Sequence, residues 1–113
     1  MGEGDEPLIA GVELGGTKVV CILASGPDRV EDEVRLPTER PDRTLPAIEA
    51  VLDRWTGFAA IGVASFGPIH IDRRSADWGR VGVTPKPGWA GTDIAGRLGR
   101  RYDVPVGFHT DVV

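Results

Sequence analysis

The segment Glu13-Leu14-Gly15-Gly16-Thr17-Lys18 carries the residue types that bind a terminal phosphate group. Two glycines at the tip of a strand-turn-strand expose consecutive backbone N–H groups, and no side chain there keeps a phosphate at a distance. Thr17 adds a hydroxyl donor, Lys18 a positive charge, and Glu13 a carboxylate that can hold a metal-bound water. The spacing differs from a Walker loop, in which Gly-Lys-Ser/Thr opens a helix, and a simple glycine hairpin explains the turn equally well.

A carboxylate near the other end of the chain, Asp111, has the chemistry required for the acceptor side of a phosphoryl transfer. Transfer to a sugar hydroxyl requires that hydroxyl in line with the phosphorus and an acceptor for its proton, and one carboxylate serves both needs. The low ordinary pKa of aspartate, about 3.9, is no obstacle, because the hydroxyl becomes acidic late in the transfer. Taken alone, Asp111 is better explained as a strand end or a helix N-cap, and only the other motifs favour catalysis.

Other reactive side chains have plainer explanations. Trp89 follows a Pro-Gly pair and suits either a sugar-stacking platform or a packing anchor. The single cysteine, Cys21, lies in an apolar run and is expected to be a small core residue. His70 and His109 have no carboxylate or cysteine at metal-ligand spacing, so no zinc site is expected within these residues. Three arginines are expected on a solvated helix face: Arg97, Arg100 and Arg101.

Composition limits the function classes. The 113 residues, 12.1 kDa, suffice for one domain, and 41% hydrophobic with 27% charged residues is typical of a globular protein. Thirteen basic and 17 acidic residues give a net charge of −4, which argues against nucleic acid as a partner. The longest strictly apolar run, Val19 to Ala24, is too short to span a membrane, and the acidic amino terminus is unlike a secretion signal. We therefore expect a cytoplasmic protein with no membrane partner and a flexible leader over residues 1–7.

Five strands are predicted between the glycines and prolines that divide the chain. Leu8–Glu13 and Thr17–Ala24 flank the glycine turn and predict a hairpin. Alternating apolar and charged residues over Val30–Leu36 predict a half-exposed edge strand. The apolar run Phe58–Ser65 predicts a buried strand, and Val104–Phe108 predicts a last strand that ends just before Asp111.

Two helices are predicted between these strands. Apolar residues at helical spacing predict a helix over Thr44–Trp55, with Thr44 as the N-cap and Glu49 outside the apolar stripe. Ile69–Trp89 shows no sustained period and is expected to form a long ordered loop with short strands. A second helix is expected over Thr92–Tyr102. The fold class is therefore α/β with a mixed sheet, a β-hairpin start followed by βαβαβ, which matches the ribonuclease-H-like half of the actin and sugar-kinase architecture.

Four segments of the chain resemble the ROK family of sugar kinases, and within it the bacterial fructokinase branch. They are Glu13–Lys18, Gly62–Pro68, Thr84–Trp89 and the stretch from Val104 to Val112. The resemblance extends from about Leu8 to Val112, and four motifs in the family's order are far more specific than any one of them. Where many hexokinase-like relatives have Asn before the catalytic aspartate, this chain has Thr110, as the fructokinase branch does.

The resemblance implies roles for individual residues. The first phosphate motif corresponds to Glu13, Gly15, Gly16 and Thr17, with Lys18 beside them. The segment that lines the sugar pocket corresponds to Ser65, Phe66, Gly67 and Pro68. The loop that closes on the sugar corresponds to Thr84, Lys86, Gly88 and Trp89, with Thr110 also expected in the substrate site. The catalytic aspartate corresponds to Asp111, and no metal ligand is assigned.

The resemblance also implies an activity, namely ATP- and Mg²⁺-dependent phosphorylation of a hexose, fructose to fructose 6-phosphate, with a homodimer expected for the complete protein. The family's second phosphate loop, zinc-binding cluster and adenosine site have no counterpart here, so residues 8–113 are expected to be an N-terminal lobe that is inactive alone. Zn²⁺ would belong to the absent C-terminal part. The alternatives are another ROK hexokinase acting on glucose, mannose or an N-acetylhexosamine, a non-catalytic remnant, or a ROK regulator with DNA-binding helices ahead of the glycine turn.

Overall fold

The computed structural model describes residues 7–26, 28–55 and 57–110, and it contains one five-stranded sheet with two helices. The expected leader, apart from Pro7, and the candidate base Asp111 lie outside the described residues. In chain order the elements are β1 Leu8–Leu14, β2 Lys18–Gly26, β3 Arg29–Pro37, α1 Pro41–Arg54, β4 Phe58–Ser65, α2 Ala95–Tyr102 and β5 Val106–Thr110. The predicted α/β class and the predicted order of elements are confirmed.

The sheet has the strand order β3-β2-β1-β4-β5. The β1–β2 and β2–β3 pairs are antiparallel, as expected for a hairpin extended by an edge strand. The β1–β4 and β4–β5 pairs are parallel, and each crossover places a helix on the same face of the sheet. The mixed sheet therefore has three parallel strands whose carboxyl ends lie at one edge.

The hydrophobic core lies between that face of the sheet and the two helices. Alternate residues of each strand point into it, and it includes Val12, Leu14, Cys21, Ile61, Val63, Val106 and Phe108. The predicted apolar stripe of the first helix packs onto them through Leu45, Ile48, Val51, Leu52 and Trp55, all at most 7% exposed. Cys21 is fully buried, as predicted, and burial raises the pKa of its thiol to about 11.

The first helix begins three residues earlier than predicted. Pro41 occupies the first turn, where its missing N–H and fixed φ favour helix initiation, and Arg40 takes the N-cap position without a side-chain cap. The predicted N-cap, Thr44, is instead a buried residue inside the helix, and its Oγ1 accepts a hydrogen bond from the Glu39 N–H at 2.8 Å. The prediction of Thr44 as N-cap is therefore wrong, because sequence spacing did not include the proline's contribution.

The second helix begins later than predicted, at Ala95 rather than Thr92. Thr92 accepts a backbone hydrogen bond from Val81 at 2.9 Å and Asp93 forms a bridge with Arg80, so these residues stay extended. Oδ1 of Asp93 then accepts the Gly96 N–H at 3.0 Å in the first turn. Tertiary pairing of the preceding loop therefore delays the helix.

Each arginine of α2 forms an ion pair, and Arg100 and Arg101 remain exposed, as predicted. Arg97 pairs with Glu49 and Arg101 with Asp53, both on α1, and Arg100 pairs with Asp93. Glu49, expected outside the apolar stripe, is only 7% exposed and is buried under α2. The prediction of a solvated face is therefore wrong for Arg97 alone, which is partly buried because α2 packs against the side of α1 that carries Glu49.

The long loop between β4 and α2 is ordered, as predicted, by short-range pairing. Isolated bridges join Ile69 to Val81 and Arg80 to Asp93, and the Gly82 N–H donates to the Pro68 carbonyl at 2.7 Å. No helix of the described part is long and apolar enough to cross a membrane. The loop lies beside the carboxyl edge of the sheet, where several of the candidate residues are found.

Candidate functional site

The carboxyl ends of the three parallel strands meet in one row. Leu14 of β1 lies opposite Ser65 of β4, and Ser65 lies opposite Thr110 of β5. Neighbouring strands are about 4.8 Å apart, so the segments that follow these residues start side by side. The Phe66 N–H donates to the Leu14 carbonyl at 2.9 Å and extends the pairing past the strand end. In open α/β sheets such an edge is where ligands bind.

The glycine turn stands at this edge with unused hydrogen-bond donors. The Gly15 N–H closes the turn on the Lys18 carbonyl at 2.9 Å. Within the described part of the chain, the N–H groups of Gly16 and Thr17 donate to no other residue, and both residues are exposed. Two adjacent free N–H groups of a turn are donors that an anion can accept from, which is the chemistry the sequence predicts for this turn.

Thr38, for which no motif predicted a role, holds the shape of this turn. Its Oγ1 donates to the Gly15 carbonyl at 2.8 Å, and its N–H donates to the Thr17 carbonyl at 3.0 Å. These two hydrogen bonds hold the turn from the end of β3. Thr38 follows Pro37 at the end of an edge strand, and no local pattern indicated that it reaches a residue 23 positions away.

The two charged residues of the turn lie on the sheet face opposite the helices. Glu13 is paired with Val20 and Ala64 and is exposed, and Lys18 follows the turn and is also exposed. Glu13 lines an open cavity of about 300 Å³ on that face, together with His109. Its carboxylate can hold a water of a Mg²⁺ ion, and the free N–H groups and Lys18 suit the phosphate that such an ion accompanies. The residues present therefore fit a Mg²⁺-phosphate group.

The residues at the end of β4 and just after it, Ser65 to Pro68, are only partly accessible to a ligand. Ser65 is fully buried, and its hydroxyl donates to the Phe66 carbonyl at 3.0 Å, so it stiffens the strand end. Phe66 is half-buried, whereas Gly67 and Pro68 are exposed at the edge. Of the four residues that the resemblance assigns to a sugar pocket, Gly67 and Pro68 are thus the most exposed.

The loop Thr84–Trp89 is anchored at its far end by Trp89. The indole is 1% exposed, its Nε1 donates to the Glu39 carbonyl at 2.9 Å, and its ring packs edge-on against Phe66 at 5.5 Å. Of the two roles open at the sequence level, the structure supports the packing anchor, because neighbouring residues cover almost all of the ring. Gly88, with φ of 82°, makes the turn that precedes it.

Lys86 brings this loop to the glycine turn. A Cβ placed on Gly16 would lie 3.6 Å from the Cε of Lys86, so the lysine side chain lies over the turn. Thr84 Oγ1 accepts the Lys86 N–H at 3.3 Å and is half-buried. The structure thus brings the glycine turn, the Phe66–Pro68 segment, Lys86 and the end of β5 to one edge. Asp111 follows Thr110 directly but lies outside the described residues.

A sequence model of the ROK family matches residues 9–113. The chain belongs to the ROK family. A fructokinase of Pediococcus pentosaceus is 36% identical over 107 residues, an alignment that covers 93% of this chain and 36% of that protein. The resemblance expected from the sequence motifs is confirmed.

Solved structures of ROK proteins share the fold of this ROK chain. A glucokinase from Streptomyces griseus, in complex with glucose and AMPPNP, matches with a TM-score of 0.74 at 22% identity, over 92% of this chain and 33% of that one. A ROK transcriptional regulator, a homologue of the E. coli MLC protein, matches with a TM-score of 0.69 at 13% identity, over 96% of this chain and 28% of that one. The fold is thus the actin-like, ribonuclease-H-like fold, and the chain spans about a third of the relatives' length.

Proposed function

We propose that this ROK chain is the N-terminal lobe, residues 8–113, of an ATP-dependent hexose kinase. The observation that carries the proposal is the pair of free N–H groups at Gly16 and Thr17, held at the carboxyl edge of the parallel strands. A terminal phosphate of ATP accepts from these groups, and Lys18 balances its charge. Glu13 holds a water of the Mg²⁺ ion. That ion neutralises charge on the phosphates when bound.

Asp111 supplies the acceptor side of the reaction in this proposal. It follows the last residue of β5, and β5 ends in the same row as β1 and β4. A carboxylate there accepts a hydrogen bond from the sugar hydroxyl, orients it toward the phosphorus and takes its proton late in the transfer. Gly67, Pro68 and the loop of Lys86 flank the same edge and are proposed to contact the hexose.

Fructose is the proposed hexose, with fructose 6-phosphate as product. Two observations support it: the 36% identity to a fructokinase and the presence of Glu13 and Thr110 where the resemblance to that branch expects them. Another ROK hexokinase, acting on glucose, mannose or an N-acetylhexosamine, is the alternative. The shared fold does not separate a kinase from a ROK regulator, but a regulator requires no pair of free phosphate donors in the turn.

The adenosine site, any zinc site and any homodimer contact are proposed to belong to the part of the protein that follows this lobe, and the protein is proposed to act in the cytoplasm. A lobe with one phosphate turn and no second wall is proposed to be inactive alone. The intact mass of the product from its source cells, compared with 12.1 kDa, tests this division. A much larger mass supports a two-lobed kinase, and a mass near 12.1 kDa contradicts it.

The activity is tested by ADP release from Mg-ATP with fructose, glucose or mannose, using the protein at its natural length. Asp111→Asn should lower kcat at least about 10³-fold while leaving the melting temperature unchanged, because the carboxylate is needed only for the reaction. The matched control is Asp103→Asn, since Asp103 has φ of 56° at the end of α2 and Asn adopts that conformation readily. Absence of turnover with any hexose, or equal kcat for both variants, would contradict the proposal.

A further inference from the structure

A cavity of about 390 Å³ lies next to the glycine turn, between the β3–α1 junction and the loop that contains Lys86. This volume is within the range of pockets that hold small molecules. Its polar lining consists of Thr38, Glu39, Arg40, Asp42, Arg43 and Lys86. None of the roles proposed above uses the two arginines.

The three cations that line the cavity outnumber its two carboxylates and form no ion pair with them. No carboxylate of the described residues forms an ion pair with Arg40, Arg43 or Lys86, whereas each of the three arginines of α2 forms one. The Arg40 guanidinium lies 3.3 Å from where a Cβ of Gly88 would be, which places it against the loop that contains Lys86. Unpaired cations that converge on one concave surface favour a doubly charged anion such as a phosphate monoester.

The first turn of α1 adds to this preference. Arg40 caps the helix without a side-chain hydrogen bond, and Pro41 has no N–H to offer. The positive end of a 14-residue helix therefore faces the cavity beside Arg43. This feature supports the arginines and does not by itself define a site.

The two carboxylates of the lining, Glu39 and Asp42, indicate which other groups the ligand has besides its phosphate. Glu39 and Asp42 accept hydrogen bonds from hydroxyl groups but repel a bare anion. Three cations and two carboxylates in one cavity suit a molecule that joins a phosphate to several hydroxyls. Free inorganic phosphate can pair with the three cations but offers no hydroxyl groups to the two carboxylates.

We propose that this cavity binds a phosphorylated sugar, with the phosphate on Arg40, Arg43 and Lys86 and the sugar hydroxyls on Glu39 and Asp42. The site is separate from the edge where the transfer is proposed, and it shares Lys86 with that edge because the Cε of Lys86 lies over Gly16. Occupancy would draw Lys86 away from the turn, so a sugar phosphate bound there would slow the transfer. Binding itself does not depend on the proposed kinase activity.

The test is calorimetric titration of fructose 6-phosphate into the protein at its natural length, with saturating fructose present. Fructose fills the proposed hexose site if that site exists, so failure of the proposed function does not affect the measurement. We expect one saturable equivalent of fructose 6-phosphate, weakened about tenfold or more by Arg43→Gln and by Arg40→Gln, since each removes a charge-assisted contact. The matched control Arg74→Gln, at an arginine that is 92% exposed and pairs with Asp72, should bind as the parent does.

Three results would overturn the proposal. The first is no saturable binding with fructose present. The second is binding that Lys18→Gln abolishes and Arg43→Gln does not change, because the ligand would then lie on the glycine turn. The third is inorganic phosphate that binds as tightly as fructose 6-phosphate, which would remove the role of Glu39 and Asp42. Melting curves of each variant establish that these exposed substitutions leave the fold intact.

Discussion

Arg97 donates from Nε and Nη2 to both carboxylate oxygens of Glu49, at 2.7 and 2.8 Å, and thereby joins the two helices across 48 residues of sequence. The Glu49 side chain is 9% exposed and that of Arg97 is 38% exposed, so the carboxylate depends on its partner more than the guanidinium does. The pair holds α2 against α1 on the face of the sheet that forms the core.

Arg97→Met should lower the free energy of unfolding by about 3 kcal/mol, because it leaves a buried carboxylate without a partner. Glu49→Met should cost about 1 kcal/mol, since Arg97 can turn to water, and the double variant should cost no more than Arg97→Met alone. Urea denaturation of the four proteins measures these values. If both single variants lose the same unfolding free energy and the double variant loses their sum, the two side chains are not coupled.

Trp89→Phe should destabilise the protein by about 2 kcal/mol, because the Glu39 carbonyl loses its donor and the core loses part of a buried ring. Trp78→Phe is the matched control. Trp78 is half-buried and no described residue accepts a hydrogen bond from its Nε1. Trp78→Phe should therefore lower the free energy of unfolding by less than about 1 kcal/mol. Denaturation followed by circular dichroism makes the comparison without relying on tryptophan fluorescence. A stable Trp89→Phe protein with weakened hexose binding would instead support the sugar-stacking role.

Stability should fall at alkaline pH because of Cys21. Burial raises the pKa of this thiol from 9.0 to about 11, so between these values the unfolded chain loses a proton that the folded chain keeps. The thiol's contribution is thus complete below pH 9 and is lost as pH rises toward 11, which lowers the free energy of unfolding by roughly 2 to 3 kcal/mol.

Cys21→Ala is the control for that pH dependence. Tyr102, whose pKa burial and the Asp53 hydrogen bond also raise, contributes equally to both proteins. The difference between the two denaturation profiles therefore isolates the thiol. Identical profiles between pH 9 and 11 would contradict the assignment.

Gly79→Ala should be more damaging than Gly57→Ala, although both glycines have positive φ, 89° and 83°. A Cβ on Gly79 would lie 3.0 Å from the Cβ of Ala95 and 3.3 Å from the Gly96 N, whereas no described atom lies within 4 Å of one on Gly57. We expect about 3 kcal/mol for Gly79→Ala and about 1 kcal/mol for Gly57→Ala, the second being backbone strain alone. Thermal melts of both variants show which one loses more stability. Equal losses of stability would mean that the backbone near Ala95 moves to make room for the new Cβ.

Local pattern was enough to predict most elements of the fold. Apolar segments between turn residues predicted β1, β2 and β4, and alternation of apolar and charged residues predicted β3 at the edge. Helical spacing predicted the stripe of α1 that lies in the core, and the Gly15-Gly16 pair predicted a turn with exposed donors. These features depend on residues a few positions apart, and periodicity records which side of each element is buried.

Only the tertiary structure decided which polar residues meet. It paired the buried Glu49 with Arg97, placed the Trp89 indole where it donates to the Glu39 carbonyl, and placed Thr38 where it donates to the glycine turn. Each contact joins residues 23 to 50 positions apart, and each depends on how two elements pack rather than on the sequence of either. The sequence by itself therefore determined the strands, the helices and the chemistry of the turn. The packing determined the Thr38 hydrogen bonds to the turn, the position of the Trp89 loop and the cavity lined by cations. The reason is that the partner of a polar side chain depends on which surfaces the sheet and the helices bring together.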